Sequence, residues 1–130
     1  MLLEEGLFRK LQSDTTLVGL LGTRMHPGRL PQTPTYPALV YKRVSGVRVR
    51  HLRGPAGLAH ARLQLDVYAA TYAQGKAVAD RIRVVLDDLA ADYGSVVVQG
   101  AFLLMEQDVF EEAVDKHRVI LDYEVWYQEA

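Results

Sequence analysis

The 130-residue chain contains no cysteine. That removes disulfide bridges, thiolate zinc sites, cysteine nucleophiles and cysteine-ligated iron–sulfur clusters from consideration. No stretch approaches the ~20 consecutive apolar residues that a membrane-spanning helix needs. The opening Met1-Leu2-Leu3-Glu4-Glu5 puts acids where a secretory signal carries bases. A soluble chain of intracellular origin, with no membrane partner, is therefore expected.

The usual catalytic signatures are also missing. Neither Gly-x-x-x-x-Gly-Lys-Ser/Thr nor Gly-x-Gly-x-x-Gly occurs, and none of the three serines, Ser13, Ser45 and Ser95, stands in a Gly-x-Ser-x-Gly elbow. The four histidines, His26, His51, His60 and His117, are never at metal-ligand spacing. Glu106, Asp108, Glu111, Glu112 and Asp115 lack the central glycine of an EF-hand loop and read as a solvated acidic connection. No catalytic residue, cofactor or metal site is expected.

What is present is the composition of one folded domain spanning 1–130, long enough to bury roughly 65–70% of its unfolded surface. Fifteen basic and sixteen acidic residues nearly cancel, but they are unevenly placed. Residues 1–62 hold ten Lys+Arg against three acids, net +7; residues 63–130 hold five against thirteen, net −8. Such a charge dipole suits copies that meet head to tail better than a simple DNA-binding surface, although the basic half keeps a small nucleic-acid-binding module open as an alternative.

Leu3, Leu7, Phe8 and Leu11 recur at helical spacing, and Ser13 or Asp14 offers an N-cap for a second short helix ending at Gly22. Four of the five prolines, Pro27, Pro31, Pro34 and Pro37, predict an extended loop over 27–37. Alternation from Ala38 to Val44 predicts a strand, Ser45-Gly46 a hairpin turn, and Val47–Arg53 the return strand, with Gly54–Gly57 as a break. Over Leu58–Ala70, Ala59, Ala61, Leu63, Leu65, Val67 and Ala69 share one face, and His60, Arg62, Gln64, Asp66 and Tyr68 the other. Thr71-Tyr72-Ala73-Gln74 has capping-box spacing ahead of a helix with an apolar stripe of Val78, Ile82, Val85, Leu86 and Leu89, ending before Gly94. Val96–Met105, almost continuously apolar, predicts a strand covered on both sides, with a bulge or close approach at Gly100. An acidic connection over Glu106–Asp115 and a last alternating strand, Lys116–Tyr127, complete the pattern. Together these predict an α+β domain: a largely antiparallel sheet with a β-hairpin arm and helices packed on one face. Tyr68 and Trp126 fall on the opposite face, either as scattered surface aromatics or as part of an oligomer interface.

Several segments in this order resemble the tail completion, or tail terminator, proteins of long-tailed bacteriophages and phage-like particles. They are Arg24-Met-His-Pro-Gly-Arg-Leu-Pro-Gln32, Pro37-Ala-Leu-Val-Tyr-Lys-Arg-Val-Ser-Gly46, Gly54-Pro55, Arg62-Leu-Gln-Leu-Asp-Val-Tyr-Ala69, Thr71-Tyr-Ala-Gln-Gly-Lys-Ala-Val-Ala-Asp80 and Asp122-Tyr-Glu-Val-Trp-Tyr127. The chain departs from the pattern in its basic series Arg48, Arg50, His51 and Arg53, where a shorter arm is expected. The resemblance implies a non-enzymatic assembly protein located in the tail or neck of a virion or gene transfer agent and assembled in the host cytoplasm. Its implied form is a hexameric ring that caps the tail tube, ends polymerisation and joins the tail to a head-side connector or stopper. The implied partners are its own copies, tail tube protein and the connector, with passing contact to DNA in the channel. A head-completion protein sealing the portal is the alternative within the same class. The candidate assembly residues are Arg48, Arg50, Arg53, Tyr68, Glu111, Glu112, Asp115 and Trp126.

Overall fold

A computed structural model describes residues 2–51, 54–87 and 96–128, with the side chains of 49–51 and 54–56 excepted. The first helix, α1 (Leu3–Gln12), buries Leu3, Leu7 and Leu11 and leaves Arg9 exposed. The second, α2 (Thr15–Leu21), starts at Asp14, whose carboxylate accepts the Leu17 N–H at 2.9 Å, and stops at Gly22, whose φ of 58° is costly for any residue with a Cβ. A short strand, β1 (Met25–Pro27), takes in the first of the four prolines, so the expected loop runs over 28–37 and begins one residue later.

The next strand, β2 (Ala38–His51), runs straight through Ser45-Gly46, and the predicted hairpin turn there is wrong. Gly46 serves a close approach instead: the Arg43 side chain crosses it, and a Cβ would stand 3.1 Å from the guanidinium. The local irregularity is a bulge at Val44, where register passes from Arg43 opposite Leu63 to Ser45 opposite Arg62. The predicted break at Gly54–Gly57 is likewise strand, the start of β3 (Gly54–Ala69), with Gly57 at φ 79°. β2 and β3 pair antiparallel out to His51 opposite Gly54, and residues 52–53 lie outside the described residues.

Thr71 caps α3 (Tyr72–Leu86), its hydroxyl accepting the Gln74 N–H at 3.1 Å, while the Gln74 side chain accepts the Ala70 N–H at 3.3 Å. Leu89, expected in the helix stripe, lies outside the described residues. The last two strands are β4 (Val98–Glu111) and β5 (Lys116–Gln128). Two expectations for β4 fail. The acidic connection shrinks to a turn over 112–115, because Glu106, Asp108 and Glu111 belong to the strand. The apolar run is not covered on both sides either: β4 is an edge strand, with Phe102, Leu104 and Met105 each about half exposed.

The sheet order is β1-β2-β3-β5-β4, antiparallel except for β1 with β2, which makes the domain α+β as the pattern predicts. All three helices contribute to a core on one side of the sheet. There Leu63, Leu65 and Val67 of β3 and Leu121 and Tyr123 of β5 are fully or almost fully buried with Leu7, Leu17, Val78 and Ile82. No described helix is long and apolar enough to cross a membrane.

Candidate assembly interface

Because side chains alternate along a strand, the face of β3 and β5 turned away from the helices carries their polar set. Register places Tyr68 opposite Arg118, Gln64 opposite Asp122, Arg62 opposite Glu124 and His60 opposite Trp126. The strong contacts run diagonally, within reach for long side chains. Arg62 donates to Asp122, and Arg118 donates from Nη2 to Asp66 Oδ2 at 2.8 Å. Gln64 also donates to Asp66, at 2.9 Å. Both aspartates are buried, at 3% exposed for Asp66 and 5% for Asp122, although no helix covers this face. The guanidiniums and neighbouring side chains shield them, and a buried carboxylate without such partners would be costly.

The eight candidate residues sort into two groups at opposite ends of the sheet. At the arm end, Arg48 is exposed on β2 opposite Ala59, and Arg50 stands opposite Pro55, its side chain not described. A register shift lies between Arg48 and Arg50, where two residues of β2 pass four of β3. Arg53 lies outside the described residues. Trp126 belongs to this end, its ring stacked on His60 at 4.2 Å, with His60 Nδ1 3.4 Å from Glu124. At the turn end, Glu111 accepts from Arg118 at 2.6 Å, and Arg118 in turn stands 5.5 Å over the Tyr68 ring. Burial pushes the Tyr68 hydroxyl above its ordinary pKa. Glu112 and Asp115 are exposed in the turn, where Asp115 takes φ 53°. From Leu58 opposite Gln128 to Ala69 opposite His117 the sheet extends about 36 Å. The basic arm and the acidic turn of one copy therefore do not meet, and neither do Tyr68 and Trp126.

The remaining β4 acids face α3. Lys76 donates to Glu106 at 2.8 Å and to Asp108 at 3.2 Å, and the Tyr72 hydroxyl donates to Asp108 at 2.8 Å. The Tyr72 bond, aided by Lys76, holds the Asp108 carboxyl below the usual aspartate value, and bonding to Glu106 raises the Lys76 ammonium.

Two features escape the sequence reading: the Arg–Asp diagonals, which depend on register, and a groove of about 560 Å³ lined by Leu58, Gln99, Gly100, Phe102, Trp126 and Gln128. Gly100 shapes that groove, since a Cβ there would come 2.9 Å from the Phe102 ring. Its sequence signals were the apolar run Val96–Met105 with the close approach expected at Gly100, and Trp126 on the helix-free face. Among the described residues no three His, Asp or Glu side chains gather as a metal site requires.

The family model for tail completion protein gp17 matches residues 5–128. No curated protein matches the chain. Among solved structures, a chain in the virion of a native gene transfer agent particle is similar at a TM-score of 0.71 and 18% identity, covering 94% of this chain and 91% of that one. The gp17 protein of bacteriophage SPP1 is similar at a TM-score of 0.57 and 14% identity, covering 98% of this chain and 88% of that one. At these identities the likeness is one of fold.

Proposed function

Because the chain belongs to the tail completion protein family, it is a structural protein of the virion tail and neck rather than an enzyme, and we propose that its copies form a six-membered ring capping the tail tube. The cap ends tube polymerisation with one rim and offers the other to a head-side connector. The observation that carries this reading is the polarity of the sheet, with the basic arm at one end and the acidic turn about 36 Å away at the other. Copies standing side by side would present a basic rim and an acidic rim. A ring with unlike rims fits the tube on one side only, so it cannot propagate the tube. The arm residues Arg48, Arg50 and Arg53, with Trp126 beside them, would serve one rim; Glu112, Asp115 and the Tyr68–Arg118–Glu111 group would serve the other.

The test is tube length. Added to polymerising tail tube protein from the same particle, the protein should halt growth at a stoichiometry of about one ring per tube end. Continued growth under saturating excess would overturn the proposal.

A further inference from the structure

The ring needs a lateral contact, and we propose that it is made edge to edge: the open edge of β4 in one copy pairs antiparallel with the open edge of β2 in the next, staggered toward the arm. This inference rests on the ring reading above and names the surface that builds it.

Among the described residues, no strand covers β4, and β1 covers β2 only at Leu39–Tyr41, leaving Lys42–His51 open. Long uncovered edges are ordinarily blunted by lysine, proline or a covering element. The 14-residue β4 has no lysine, arginine or proline, and it exposes Phe102, Leu104, Met105 and Phe110. Such an edge is built to be covered.

Charge selects the occupant. The open part of β2 bears Lys42, Arg43, Arg48 and Arg50 with no acid, and β4 bears Glu106, Asp108 and Glu111 with no base. Pairing β4 with a second β4 would set acids against acids, and β2 with β2 bases against bases, which is unfavourable across a ladder. Pairing β4 with β2 sets acids against bases. Lys76 and Arg118 already hold the β4 acids in place, yet Asp108 keeps a side chain 41% exposed. Faces agree as well. Arg43 and Arg48 stand opposite Leu63 and Ala59, and Glu106 and Asp108 opposite Leu121 and Val119, all four partners being buried on the helix-bearing face.

Direction and register follow from the sheet. β2 and β4 run opposite ways, since three antiparallel pairings separate them, so joining them continues the antiparallel order. Through the register, Asp108 is level with Leu39 and Glu106 with Tyr41. That is the segment β1 occupies, so a flush junction is blocked. Sliding the incoming β4 toward the arm by about six residues, roughly 20 Å, clears β1 and carries its acids alongside Lys42–Arg48, with Glu111 level with Lys42 and Glu106 with Arg48. A stagger between neighbours is also what closing a sheet into a ring demands. The contact joins unlike surfaces, so it closes on itself only as a ring.

The absence of cysteine gives a clean cross-linking test. Val47, Phe102, Met105 and Gln107 share the helix-free face by register and are exposed. The single variants V47C, F102C, M105C and Q107C are prepared, checked for an unchanged melting temperature, and oxidised alone and in pairs, with and without tail tubes. V47C mixed with M105C or Q107C should give a disulfide-linked dimer, each variant alone should stay monomeric on a denaturing gel, and V47C with F102C should link poorly. Efficient self-linking of M105C, which would show β4 against β4, overturns the proposal. So does capping of tubes with no β2–β4 pair linking at any position, a result that leaves the cap reading intact. Linking of V47C to M105C in protein that never stops tube growth supports the edge pairing and refutes the cap.

Discussion

Asp14 does two things with one carboxylate: it caps α2 through the Leu17 N–H, and it takes Arg81 of α3 on both oxygens, at 2.6 and 2.8 Å. The Arg81 bond, aided by Leu17, outweighs burial and holds the Asp14 carboxyl below the ordinary aspartate value. A depressed folded pKa stabilises above the unfolded value, and that stability disappears as pH falls through the folded value. Melting temperature should therefore drop on acidification below about pH 4, and less so in Asp14→Asn. At pH 7, Asp14→Ala should cost about 1–2 kcal/mol, whereas Asp14→Asn keeps a competent cap and should lose less. Chemical denaturation at the two pH values checks both. In the core, Leu65 and Ile82 are fully buried, and truncating either to Ala should cost about 2–5 kcal/mol. A melt within a degree or two of the parent would contradict their placement. Residues of this kind were legible in the sequence because their signals are local: apolar spacing, a capping aspartate, a glycine past a helix end. Asp66 and Asp122 were not, because two carboxylates among alternating polar residues look solvated until register sets Arg118 and Arg62 diagonally beside them.

At the scale of elements, the helices and the alternation of β3 and β5 could be read directly, since their buried faces obey a fixed period. The β2–β3 arm could not be read in this way. Ser45-Gly46 has the composition of a tight turn, but Gly46 makes room for Arg43 within a continuous strand, so the arm is longer than it looked. The run Val96–Met105 misled for a related reason: apolarity on both sides of a strand marks surfaces to be covered, without saying whether the cover belongs to the same chain. Reversing Arg48 and Arg50 to Glu should leave the melting temperature nearly unchanged, because exposed charges contribute little to folding, yet should weaken ring formation or capping. Intact assembly at moderate salt would remove the arm from the interface.

For the whole molecule, the opposite charges of the two halves of the chain become opposite ends of the sheet. The basic half contributes the β2–β3 arm and the acidic half the β4–β5 turn. The dipole was visible by counting, but its 36 Å span and the two open edges required the strand order, in which β5 inserts between β3 and β4. Unlike ends and unlike edges together describe a subunit that closes sideways and stops lengthwise. Electron micrographs of tail tubes grown with an excess of the protein test this most directly. A six-fold disc should sit on the end of each stopped tube, the same rim always facing the tube. Stopped or growing tubes with bare ends, or the protein spread along their length, would contradict the account.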